Sequence, residues 1–137
     1  MSTELAVTLA NDLTEIPRLA TLVESFFRDH GIDSGFAVNV NLALDEVLTN
    51  IISYGYRDAS AHTINVTLVL EKDVVKATVE DDARAFDPRT ALPPDIESPL
   101  EARPLGGLGV HLVRQLMDRI EYMRSNGRNR LVLWKFL

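Results

Sequence analysis

Glu46 and Asn50 stand four residues apart in a segment whose apolar side chains recur at helical spacing, so a helix sets a carboxylate and an amide on one face. Such a pair can offer oxygen atoms to a hard cation and a proton acceptor to a water or hydroxyl. The same spacing also suits an ordinary solvated helix surface. Gly106-Gly107-Leu108-Gly109 opens another periodic run, where glycines allow close backbone approach and the helix start presents unpaired N–H groups to an anion. It is not a Walker A loop, since no Gly-Lys-Ser/Thr follows, and it is a poor dinucleotide fingerprint, since Leu112 replaces the third glycine. Loop punctuation is its plain alternative. Asp81 closes an alternating apolar run and leads into Asp82-Ala83-Arg84-Ala85-Phe86-Asp87-Pro88. Held at a strand end, its carboxylate can accept a hydrogen bond from an exocyclic amine such as that of adenine, or it is simply a charged terminus.

The elements that must position these residues follow from periodicity. Leu5, Val7 and Leu9 alternate with polar residues and predict a strand over Glu4 to Ala10. Thr14 is placed to cap a helix to about Arg28, with Pro17 in its first turn and a linker from Asp29 to Gly35. Ser34 is placed to cap a longer helix to about Tyr54, ended by Gly55. In that helix Asn39, Ala43, Glu46, Asn50 and Ser53 form one stripe opposite Val40, Leu44, Val47, Leu48 and Ile51. Leu42 and Ile52 widen the apolar arc on both flanks, so the stripe is expected to face a pocket.

Ile64 to Leu70 and Val75 to Val79 alternate around a turn at Glu71 to Asp73, which predicts an antiparallel hairpin. From Asp82 to Leu105 no periodicity is sustained, and Pro88, Pro93, Pro94, Pro99 and Pro104 block regular structure. A loop this long inside a compact domain is usually functional, such as a lid, or else disordered. A third helix is expected over Leu108 to Met117, then a hairpin of Ile120 to Ser125 and Asn129 to Phe136 turning at Asn126-Gly127. This order favours an α+β sandwich with a mostly antiparallel, mixed sheet and helices on one face.

Composition narrows the function classes. The chain has 137 residues, enough for one domain with its own core, and 46% hydrophobic with 25% charged residues marks a globular class. A net charge of -6 argues against direct nucleic-acid binding. No apolar run reaches membrane-spanning length, and Met1 to Ala10 carries Glu4 without a basic patch, so no membrane association and a cytoplasmic location are expected. Without cysteine there is neither a disulfide framework nor a thiolate nucleophile. His30, His62 and His111 are too dispersed in sequence for a local metal cage and read as surface or half-buried imidazoles.

Glu46-x-x-x-Asn50 on a helix, Asp81 with Phe86-Asp87-Pro88 behind it, and Gly107-Leu108-Gly109 at a later helix come in the order of the GHKL (histidine-kinase-like) ATPases. Within that family the short chain, the leading strand and the run Gly107 to Asp118 resemble the anti-sigma-factor serine kinases. The resemblance spans nearly the whole chain. It implies the GHKL ATP-binding sandwich over residues 1–137, with 82–105 as the ATP lid. It also implies ATP and Mg2+ as cofactors, Asn50 on the metal, Glu46 as general base and Asp81 on adenine. Ala83 would lie beside the base, and Gly107, Leu108, Gly109 and Val110 would supply backbone N–H groups to phosphates. Arg84 or Arg103 could add positive charge from the lid.

The activity implied is phosphorylation of a serine or threonine on a STAS-type anti-anti-sigma partner, coupled to sequestration of a sigma factor, usually by a homodimer. The chain departs from the family in two places. Asp81-x-Ala83-x-Ala85 stands where the family carries Asp-x-Gly-x-Gly, and Arg128-Asn129-Arg130 replaces a threonine near the adenine. The alternative reading these departures favour is a regulatory module that binds ATP or protein with little or no catalysis. A sensor kinase would need a helical domain bearing a phosphorylated histidine, for which the chain has no room.

Overall fold

Among the described residues, alternation of apolar and polar side chains builds five strands, and one face of each reaches the core. The computed structural model describes residues 3–90 and 107–137, with backbone alone at 90 and 107–110. In chain order these are β1 (Glu4–Ala10), α1 (Glu15–Asp29), α2 (Ser34–Asn50), a π-helical turn (Ile51–Gly55), β2 (Thr63–Glu71), β3 (Val74–Asp81), a 3-10 turn (Pro88–Thr90), α3 (Gly107–Leu116), β4 (Arg119–Ser125) and β5 (Arg128–Phe136). The sheet order is β1-β2-β3-β5-β4. Among the described residues every pairing is antiparallel, so this sheet is antiparallel rather than mixed.

Leu9, Ile64, Val66, Leu68, Val75, Ala77, Val79 and Leu133 are fully buried on the inner face of the sheet. From the helices, Leu19, Val23 and Phe27 of α1 and Val40, Ala43, Leu44 and Leu48 of α2 meet them. Each large apolar side chain buried this way contributes about 1.5–3 kcal/mol. Truncating Leu48 to alanine would therefore cost about 2–5 kcal/mol, the cavity included. Contacts also join α2 to α1 and to α3, so α2 lies between its two neighbours.

Helix boundaries differ from expectation in three places. Thr14 occupies the α1 cap position but its side chain makes no capping bond; its N–H and hydroxyl donate instead to Asp12 Oδ1, at 2.9 and 2.8 Å. At α2 the cap is Asp33, whose carboxylate accepts from the Gly35 N–H at 2.7 Å, and Ser34 is the first helical residue. The longer aspartate satisfies the orphan N–H from one residue earlier.

The α-helical pattern of α2 ends at Asn50, and residues 51–55 widen into a π turn. Gly55 is not in the left-handed conformation of a terminal glycine; that conformation belongs to Gly31, with φ of 68°, just after α1. The hairpin turns at Asn126 and Gly127 both have positive φ, 53° and 74°, as an Asn-Gly turn between twisted strands requires.

Candidate functional site

A cleft of about 50 Å3 opens where the end of α2 faces the ends of β3 and β5. Its described wall is mostly apolar, including Val47, Ile51, Phe86, Val113 and Leu131, with Asn50, Asp81 and Asn129 as polar groups set into it. Asn50 comes from the last turn of α2, Asp81 from the last position of β3 and Val113 from α3. Gly109 precedes Val113 by one helical turn, so the glycine-opened start of α3 lies next to the cleft wall.

The sequence-predicted residues therefore distribute as follows. Asn50, Asp81, Ala83 and Arg84 line the cleft together. Glu46 stands one turn before Asn50, half buried, and outside the described wall. Gly107 opens α3, with Leu108, Gly109 and Val110 in its first turn; their side chains, like residues 91–106 with Arg103 and most of the expected lid, lie outside the described residues.

Asp81 is 3% exposed, and burial pushes its carboxyl above the usual range. Hydrogen bonds to Oδ1 from Asn129 Nδ2 and the Ala83 N–H, both 2.9 Å, oppose that rise. Ala83 is itself buried and packs on Gly55, whose carbonyl accepts from the Arg84 N–H at 3.0 Å. Neither Ala83 nor Ala85 has positive φ, so the backbone here does not need the glycine conformation that the family pattern would allow.

Two functional candidates were missed by sequence reasoning. Asn129 faces Asp81 across the β3–β5 pairing and is 6% exposed. Its Nδ2 also approaches the carbonyls of Ala83 and Arg84 at 3.2 and 3.0 Å, while its Oδ1 accepts from the Tyr122 hydroxyl and from Arg124 Nη1. Only the register, two strands away in sequence, brings the pair together. An asparagine inside an alternating strand at an inward position is the signal that could have found it.

The second is His62, which bridges Asp58 and Asp82 through Nε2 and Nδ1 at 2.8 and 3.0 Å and stacks on Tyr56 with centroids 4.3 Å apart. Its hydrogen bonds to Asp58 and then Asp82 raise its pKa. Burial, then the charges of Asp81 and Asp82, push the Tyr56 hydroxyl well above the ordinary tyrosine range. Ser60 Oγ lies 3.1 Å from His62 Nε2, which mimics a nucleophile relay with Asp82 behind. Asp58 Oδ1 accepts the Ser60 hydroxyl at 2.8 Å and also holds Nε2, so the imidazole has no free lone pair for the serine proton. The cluster ties the loop before β2 to the residue after Asp81.

Residues 9–135 match the family described as histidine kinase-like ATPase domain. Serine/threonine-protein kinase BtrW of Bordetella bronchiseptica is 33% identical over 94 residues, covering 69% of this chain and 66% of that protein. Serine-protein kinase RsbW of Bacillus cereus is 33% identical over 101 residues, covering 68% of this chain and 62% of that protein. The chain thus spans slightly less than two thirds of these relatives. A crystal structure of the RsbU and RsbW domains of Rv1364c from Mycobacterium tuberculosis superposes with a TM-score of 0.66 at 16% identity, over 98% of this chain and 32% of that one, a likeness of fold. Among the described residues no helix is long and apolar enough to cross a membrane.

Proposed function

Because the chain belongs to the histidine kinase-like ATPase family, we propose that it is an ATP- and Mg2+-dependent protein serine/threonine kinase. In this reading it phosphorylates a STAS-type anti-anti-sigma protein and, as an anti-sigma factor, holds a sigma factor while that partner is modified. Residues 1–137 form one such domain, working as a homodimer in the cytoplasm, with 82–105 as its lid.

One observation carries the reading: Asn50 and Asp81, from different layers, line a single cleft whose wall is completed by Val113 of the glycine-opened helix. The donor set fits the ligands. An apolar slot with one buried carboxylate suits a flat base bearing an amine. No group of three or more His, Asp or Glu among the described residues is placed to hold a metal ion, so those residues form no all-protein cage. That suits Mg2+, which keeps waters and shares phosphate oxygens, with Asn50 as protein ligand.

In the mechanism Asp81 accepts from the adenine amine and Ala83 packs beside the ring. The N–H groups of Gly107, Leu108, Gly109 and Val110, which have no intrahelical acceptor in the first turn of α3, receive phosphate oxygens at the positive end of the helix. When bound, Mg2+ neutralises charge that builds on the transferring phosphoryl group. Glu46, one helical turn before Asn50, accepts the proton of the attacking partner hydroxyl.

A second reading, a regulatory module with little catalysis, is favoured by the small cleft and by the Ala83 methyl packed on Gly55. Incubating the purified chain with labelled ATP, magnesium and a STAS-type partner separates the two. Transfer of label supports the kinase; a complex without transfer supports the module.

A further inference from the structure

The Asn129 amide has no freedom to turn over. Its Nδ2 faces three acceptors, Asp81 Oδ1, Ala83 O and Arg84 O, while its Oδ1 faces two donors, the Tyr122 hydroxyl and Arg124 Nη1. Arg124 Nη1 is held in turn by Ala83 O at 2.8 Å. A flipped amide would set NH2 against a guanidinium and oxygen against a carboxylate. Asp81 Oδ1 consequently receives two donors, from Asn129 and the Ala83 N–H, and Oδ2 is the carboxylate oxygen left without a donor among the described residues.

Both residues line the cleft. An acceptor oxygen at an apolar cleft wall without a protein donor favours a ligand that brings one and disfavours a ligand that brings another acceptor. A mobile asparagine could serve either, by offering NH2 to an oxo group. A pinned one cannot.

We propose that Asn129 is a positioning residue that sets nucleobase selection, acting through Asp81 so that the cleft takes a 6-aminopurine nucleotide in preference to a 6-oxopurine one. The proposal rests on the nucleotide-binding reading and goes beyond it, since it assigns selectivity to a residue of β5 that need not touch the base.

The test is calorimetric titration of the wild-type chain, Asn129→Ala, Asn129→Thr and Tyr122→Phe with ADP and with IDP, each with magnesium. Wild type is expected to prefer ADP by about tenfold or more, the scale of one hydrogen bond to a charged group. Asn129→Ala should bring that ratio close to one, chiefly by weakening ADP. Asn129→Thr keeps a hydroxyl donor near Asp81 and should restore part of the ratio. Tyr122→Phe removes one of the pins and should lower the ratio with Asn129 intact, which serves if Asn129→Ala fails to fold.

A merely structural role would weaken both nucleotides by the same factor, and that result overturns the proposal. So does an unchanged ratio in Asn129→Ala, or in Tyr122→Phe where Asn129→Ala does not fold. If wild type binds neither nucleotide, the nucleotide reading itself fails and takes this one with it.

Discussion

Gly55 and Ala83 meet so closely that a Cβ built on Gly55 would lie 2.8 Å from the Ala83 Cβ. The end of the helical segment and the end of β3 are thus joined by side-chain contact as well as by the Arg84 N–H to Gly55 carbonyl bond. Gly55→Ala forces the two backbones apart, and overpacking of this kind costs about 1–3 kcal/mol. Ala83→Gly in the same chain removes the opposing methyl. Urea unfolding should show the double variant more stable than Gly55→Ala alone, a coupling that two independent sites would not give.

Asp81→Asn should raise stability while weakening the site. Asparagine at this position can still accept from Asn129 and the Ala83 N–H through Oδ1, and it removes a carboxylate whose charged form burial disfavours. The raised carboxyl makes the ionised native state the costly one, so the gain is expected at pH values above the folded Asp81 pKa and fades below it. Thermal melts at neutral pH should show stabilisation on the order of 1 kcal/mol, a size common where a functional group is traded for stability. ADP affinity should fall in the same variant, because NH2 replaces the acceptor left for the base. Equal or lower stability together with unchanged binding would remove Asp81 from both roles.

The His62 clasp predicts a pH dependence of opposite sense. Its folded pKa is raised by Asp58 and Asp82, so its contribution is fully present below about 6.5, the ordinary histidine value, and is lost as pH rises through the raised folded value. The lowered pKa values of Asp58 and Asp82 set the other edge: their share is present above the ordinary carboxylate range and lost as pH falls through their folded values. Melting temperature against pH should fall across the His62 titration in the wild-type chain and lie flatter in His62→Gln. A proton-resolved NMR titration of His62 gives the same pKa directly, and a value at or below that of a free histidine would contradict the clasp.

The strands, the helices and their order were legible because each inner face repeats at its own period: Leu5, Val7 and Leu9 at two, Val40, Leu44, Val47 and Leu48 at about three and a half. Asp81 was legible because it ends such a run. The Asn129–Asp81 pairing was not, because a hydrogen bond between β3 and β5 depends on register, which the hydrophobic pattern fixes only after the strands are paired. Gly55 was read as a helix terminator from local propensity, whereas its requirement comes from Ala83, distant in sequence. His62 was set aside on its distance from the other histidines, yet Asp58 in its own loop and Asp82 beyond β3 both reach it, the second contact through the fold alone. Tertiary contacts of this kind leave no local periodic trace.

Glu46 and Asn50 share a helix face but not a setting, since Asn50 lines the cleft and Glu46 stands one turn away from its described wall. Their substitutions should therefore separate chemistry from binding. Glu46→Ala removes the proposed base and is expected to slow phosphorylation of the partner by about a hundredfold to ten-thousandfold, with ATP affinity nearly unchanged. Asn50→Ala removes the proposed metal ligand, so nucleotide affinity should fall when measured with magnesium and change little in the presence of a chelator. Single-turnover phosphorylation and paired titrations read both effects. Full phosphorylation by Glu46→Ala would take that carboxylate out of the reaction, and equal losses of Asn50→Ala affinity with and without magnesium would take the amide off the metal.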